Sequence, residues 1–149
     1  KFFINELKHM ANELDNLYQE LIIDHGTEPR NHKILEQHNH DAEGFNPLCG
    51  DKIHVYLLIE NNIIQDLSFV SKGCAISTAS GSIMTQVLKN KTVNEAKVLF
   101  SKFQHLLTSE DPASEDLGKL AALTGVRQFP SRVKCATLAW HTLKDALDN

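Results

Sequence analysis

Residues 53 to 75 read Ile53-His54-Val55-Tyr56-Leu57-Leu58-Ile59-Glu60-Asn61-Asn62-Ile63-Ile64-Gln65-Asp66-Leu67-Ser68-Phe69-Val70-Ser71-Lys72-Gly73-Cys74-Ala75. Ile53, Val55, Leu57 and Ile59 alternate with His54, Tyr56 and Leu58, the period of a half-buried strand. Ile63 to Val70 is a second β-rich run, and Glu60-Asn61-Asn62 supplies the hairpin turn between them. Gly73-Cys74 closes the second strand. From Ala75 to Lys89 the pattern returns to helical spacing through Ile76, Ala79, Ile83, Val87 and Leu88. A hairpin running directly into a helix predicts a small antiparallel sheet layered with helices.

The flanking sequence extends that scheme. Ile4, Leu7, Leu14, Leu17, Tyr18, Leu21 and Ile22 predict a helix over 4–24, closed at Asp24-His25-Gly26 by a glycine suited to a left-handed cap, with Pro29 beyond. Residues 29–48 read as a loop with one short strand near Ala42 to Phe45. Thr92-Val93-Asn94-Glu95 is a capping-box pattern that opens a helix through Leu106. Residues 108–116 form a polar, acidic loop. A short helix follows from about Glu115 to Leu123, ending at Thr124-Gly125. The final helix starts after Phe129-Pro130-Ser131 and runs to about Leu147. The expected fold class is α+β: a small antiparallel three-stranded sheet packed with about five helices, in a single domain. That domain is placed at residues 13–149, with 1–12 an N-terminal extension or added lead.

Composition narrows the function classes. The 149 residues are 42% hydrophobic and 23% charged, the balance of an ordinary globular protein. The apolar runs fall far short of a membrane span, and no basic-then-apolar leader is present, so no membrane association is expected. A formal charge of −4 with no basic stripe argues against nucleic acid as a partner. With no disulfide framework evident, a reducing, cytoplasmic setting is expected.

Three cysteines carry the chemistry: Cys49, Cys74 and Cys135. Three thiols cannot all pair in intramolecular disulfides, but with Asp51, two positions after Cys49, they make four ligands, enough to close a tetrahedral metal site. Cys49 and Asp51 stand at the start of a strand, where side chains two apart point to one face, and Gly50 between them permits an unusual turn. Cys74 stands where strand gives way to helix, and Cys135 is expected in the first turn of the last helix. A helix N-terminus favours a thiolate, and Arg132 and Lys134 add positive charge beside Cys135. Three thiolates, a carboxylate and a zinc ion together carry two net negative charges, so an offset is needed. A carboxylate is a harder ligand than structural zinc sites prefer, and a mixed shell suggests ligands that can exchange.

Other polar clusters fit simpler roles. His25, His32, His38 and His40 match no compact zinc spacing; His25 reads as a cap on the first helix, and His54 as exposed on its strand. Ser77, Thr78, Ser80 and Ser82 lack the phosphate-loop glycines and lysine, and no nucleophile elbow is present. Trp140 reads as a core or interface anchor.

Three blocks, Asn46-Pro47-Leu48-Cys49-Gly50-Asp51, Gly73-Cys74-Ala75-Ile76-Ser77-Thr78-Ala79-Ser80 and Lys134-Cys135-Ala136-Thr137-Leu138-Ala139-Trp140, strongly resemble the iron–sulfur cluster assembly family containing IscU, the NifU N-terminal domain and SufU. Asp24-His25 followed by Pro29-Arg30-Asn31 resembles a fourth block, and the likeness spans about Leu14 to Leu147. Within the family the chain is most similar to SufU. Lys134 replaces the histidine that usually precedes the third cysteine of IscU-type scaffolds. Phe129 to Lys134 replaces their Leu-Pro-Pro-Val-Lys segment, which argues against docking of an Hsp70-type chaperone. The 61-position gap from Cys74 to Cys135 accommodates a SufU-type insertion.

The resemblance implies a SufE/NifU-like fold and a zinc site of Cys49, Asp51, Cys74 and Cys135. It implies a cysteine desulfurase as partner, with persulfide sulfur passed to Cys49, and Arg132 orienting the persulfide or the partner. The alternative it implies is a scaffold on which a [2Fe–2S] cluster or iron is held by the same residues, with downstream scaffolds or apo-proteins as acceptors.

Overall fold

Asn61 and Asn62 turn the chain with both residues in the left-handed region, φ 55° and 62°, the backbone that a two-residue hairpin between twisted strands requires. The strands they join, β2 (Asp51–Glu60) and β3 (Ile63–Lys72), pair antiparallel with Leu57 opposite Leu67. Strand β1 (His40–Asn46) lies along the other edge of β2, with Asn46 opposite Asp51, and the sheet order is β1-β2-β3. The computed structural model describes residues 16–113 and 115–149.

Strand β1 is longer than the short strand expected near Ala42 to Phe45. Its alternation is hard to read because its inward positions, Ala42 and Gly44, are small, while Asp41, Glu43 and Phe45 face solvent. Gly44 is required for packing: a Cβ there would lie 2.0 Å from Thr142 Oγ1 on helix α4 (Pro130–Asp148). Helix α1 covers 16–27 and so continues past Gly26. That glycine is no left-handed cap; a Cβ on it would come 3.1 Å from Ala75, so it permits a close helix crossing. Asn31, at φ 57°, takes the left-handed position instead. The part of the expected first helix at 4–15 lies outside the described residues.

Ile53, Val55, Leu57, Leu67 and Phe69 present one sheet face to helices α2 (Ala75–Leu88) and α4, where Ile83, Met84, Leu88, Trp140 and Leu143 are buried. Each such side chain contributes roughly 1.5–3 kcal/mol on burial. Helix α3 (Val93–Thr108) adds Phe100, Phe103, Leu106 and Leu107. Its capping box forms as expected: Glu95 N–H donates to Thr92 Oγ1 and Thr92 N–H to Glu95 Oε1, both at 3.1 Å. The expected short helix is a run of 3₁₀ turns, Glu115–Val126, broken at Gly118. Buried Leu117, Leu120, Leu123 and Val126 recur every third residue, the 3₁₀ period. Four α-helices and this segment give the five expected among the described residues, none of them long and apolar enough to cross a membrane.

The segment between α1 and β1 crosses the opposite sheet face. His32 bridges to Phe69 at the free edge of β3, Leu35 is buried, and His38 meets Tyr56 edge-on before Asn39 N–H donates to Leu57 O.

Candidate metal and sulfur site

Four elements meet at the end of the sheet where β1 turns into β2. Residues 47–50 form the turn, with Gly50 at φ 70°, and they lift Cys49 into solvent. Asp51 is the first residue of β2 and shares the inward parity of Ile53 and Val55, so its carboxylate is fully buried. A buried carboxylate needs donors. Cys74 N–H gives one, donating to Asp51 Oδ1 at 2.8 Å. Gly73 makes the approach possible, since a Cβ there would lie 1.9 Å from the same oxygen.

Cys74 is the N-cap of α2, and its sulfur accepts from Ser77 N–H at 3.4 Å. This is the strand-to-helix position that the sequence predicts for Cys74. Cys135 is placed differently. Helix α4 begins at Pro130, so Cys135 sits in the second turn, beyond the unpaired amides, and is 3% exposed. Burial first, and then the neighbouring Cys49, Asp51 and Cys74 side chains, push its thiol pKa strongly up. Left without a cation, this sulfur keeps its proton.

The Cys49 and Cys135 sulfurs are 3.2 Å apart. One ligand atom each from Cys49, Asp51 and Cys135 lies within 4.8 Å of the other two. Cys74 joins this group through Asp51, its sulfur 3.8 Å from Asp51 Oδ2. Thus three of the four expected ligands converge directly and the fourth borders them. The donor set, thiols gathered beside a buried carboxylate, fits a zinc ion.

Arg132 and Lys134 are exposed on α4. The Arg132 guanidinium lies 4.5 Å over the Phe129 ring, a cation–π pair at the rim. Exposed Phe45 and Leu48 line the same turn.

Sequence reasoning passed over Asn46. It is buried, its Oδ1 accepts Leu48 N–H at 3.2 Å, and its Nδ2 points at Cys135 Sγ, 3.9 Å away. Only its place directly before the Pro47 turn hinted at such a role. His25 is no helix cap. It lies inside α1, fully buried, with Nδ1 2.7 Å from Ser82 Oγ, which also accepts Arg30 N–H at 2.8 Å. Burial, with Arg30 and Lys119 nearby, pushes its pKa down to about 4. His54 is half-buried rather than fully exposed, stacked on Tyr56.

Comparison with known proteins agrees with this arrangement. The NifU-like N terminal domain family matches residues 17–147. The zinc-dependent sulfurtransferase SufU of Bacillus subtilis (strain 168) is 39% identical over 132 residues, 88% of this chain and 89% of that protein. The iron–sulfur cluster assembly scaffold protein IscU of Streptococcus pyogenes serotype M1 is 38% identical over 136 residues, 91% and 85% of the two chains. A crystal structure of a SUF-system scaffold candidate from Fervidobacterium islandicum AW-1 superposes with a TM-score of 0.81 at 33% identity, covering 86% of this chain and 94% of that one.

Proposed function

Because the chain belongs to the NifU-like N-terminal domain family, we propose that it serves iron–sulfur cluster assembly as a zinc-dependent sulfur acceptor that takes persulfide sulfur from a cysteine desulfurase. The observation that carries this reading is the asymmetry of the thiols: Cys49 is exposed on a turn while Cys135, 3.2 Å away, is buried. One sulfur of the group can meet a partner's persulfide; the others hold its place. The similarity to a zinc-dependent sulfurtransferase supports the same reading.

Cys49, Asp51, Cys74 and Cys135 would hold the zinc, which when bound keeps thiolates ionised at neutral pH. The transfer itself is thiol–persulfide exchange. Cys49 Sγ, as thiolate, attacks the terminal sulfur of the donor's persulfide. The donor's S–S bond breaks, its own sulfur leaves as thiolate, and Cys49 carries the persulfide. Asp51 keeps Cys74 in position through the Cys74 N–H. Arg132, held beside Phe129, supplies a cation at the rim for the incoming anionic persulfide or the partner. Lys134 adds a second positive charge to this rim.

A second reading uses the same four side chains to hold a nascent [2Fe–2S] cluster for downstream scaffolds or apo-protein acceptors, with Cys135 as sulfur acceptor. The similarity to a scaffold protein at nearly equal identity favours it. One experiment separates the two: elemental analysis of the purified protein, then a desulfurase assay with and without it. About one zinc per chain and stimulation lost in Cys49→Ala support the relay. Full stimulation by Cys49→Ala overturns it, and transfer of an intact cluster to an apo-ferredoxin supports the scaffold.

A further inference from the structure

The last rung to span all three strands before the Cys49 turn carries Phe45 on β1, Lys52 on β2 and Lys72 on β3. We infer that this row docks an acidic surface of the sulfur donor, an assignment that rests on the relay reading above.

Cross-strand partners share a sheet face. Asp51 and Ile53 are buried on the inner face, so Lys52 and its two partners point outward, and all three are exposed. At about 4.8 Å between strands, the row spans roughly 10 Å of backbone. Lys52 Nζ stands 6.0 Å from the Phe45 ring centroid, so the aromatic and cationic parts form one patch.

The charges in this row oppose sheet pairing. Lys52 and Lys72 are direct cross-strand partners, and like charges placed so are destabilising. Among the described residues neither has a carboxylate partner, whereas Arg30, Lys89, Lys97 and Lys102 each have one. A chain with 19 acidic side chains thus leaves these two cations unneutralised. A partner's carboxylates would neutralise both.

Position selects the occupant. Phe45 and Leu48 are 55% and 66% exposed and stand just before Cys49. A protein that brings a persulfide to Cys49 must cover this surface. The matching face is an apolar hollow for Phe45 bordered by Asp or Glu side chains. Opposite charges across the contact speed association, and a buried aromatic slows dissociation. RNA is the poorer match, because two lysines beside a phenyl ring in a chain of charge −4 make no basic stripe.

Binding kinetics of the full zinc-loaded chain with a cysteine desulfurase test the inference. The double variant Lys52→Glu/Lys72→Glu keeps a like-charged pair, so its thermal midpoint and zinc content should match the unaltered protein. Its association rate should fall at least about tenfold at low salt, and the difference should shrink as salt rises. Phe45→Ala should instead raise the dissociation rate at least about fivefold. At saturating desulfurase, sulfur loading of Cys49 should be normal in both variants, since docking and not exchange is altered. Unaltered protein that binds desulfurase while the charge-reversed variant associates equally fast overturns the row and leaves the relay standing. Failure of the unaltered protein to bind overturns both. Tighter binding to an RNA oligomer than to desulfurase, lost in the charge-reversed variant, would give the row to nucleic acid and also overturn the inference.

Discussion

No side chain fits at position 73 while Asp51 stays where it is, because a Cβ on Gly73 would lie 1.9 Å from Asp51 Oδ1. Gly73→Ala must therefore move the carboxylate and break its bond to Cys74 N–H. The expected cost is about 1–3 kcal/mol of stability, the range for overpacking a filled site, together with weaker zinc retention. Thermal unfolding of chelated and zinc-loaded protein reads both. Unchanged midpoints and full zinc content would show that Asp51 is not held by this gap.

The three thiols should differ in reactivity. In chelated protein, Cys49 is exposed, Cys74 intermediate and Cys135 buried with its thiol pKa pushed up. Alkylation followed by mass spectrometry should label Cys49 at least about tenfold faster than Cys135, since Cys49 is exposed while Cys135 is buried with its thiol pushed toward the protonated form. Zinc should slow labelling of Cys49. Equal rates at Cys49 and Cys135 would contradict the asymmetry on which the relay rests.

Gly44 and Thr142 form a second tight pair, 2.0 Å from a would-be Cβ to Thr142 Oγ1. Gly44→Ala alone should destabilise by about 1–3 kcal/mol. Adding Thr142→Ala removes the obstructing oxygen, and urea unfolding should recover about 1 kcal/mol or more as coupling. Strict additivity would place the strain elsewhere.

His25 predicts a pH dependence of stability. Its folded pKa is about 4, below the ordinary 6.5, so the unfolded chain binds more protons between these values. Its contribution is full above pH 6.5 and is lost as pH falls toward 4, amounting to about 3 kcal/mol at most. Burial also lowers the pKa of His141, which steepens the same window. Chemical denaturation across pH 4–7 should show a slope that His25→Gln flattens; an equal slope in the variant would remove His25 as its source.

Long-period patterns were legible in the chain and contacts were not. The β2–β3 hairpin follows from alternation and from two asparagines that tolerate left-handed backbone. The α3 capping box is a local pattern and forms as read. β1 escaped full recognition because small Ala42 and Gly44 take its inward positions, leaving no apolar alternation. Gly26 could be read two ways, as a cap or as clearance for Ala75, and only the helix crossing decides. The site cysteines are visible as residues, yet the turn that Cys135 occupies depends on where α4 starts. Asn46 has one local partner, Leu48 N–H, but its approach to Cys135, like that of Gly73 to Asp51, joins positions far apart along the chain, and one sequence carries no trace of such a pairing.

Cys49 and Cys135 lie 86 positions apart along the chain yet 3.2 Å apart in space. An ion shared between them is a reversible cross-link closing more than half the polypeptide, and loop closure of that size restricts the unfolded ensemble much as a disulfide would. Loading is thereby coupled to survival: the filled protein should resist proteolysis long after the empty one is cut, and the population that persists would be the one equipped to receive sulfur.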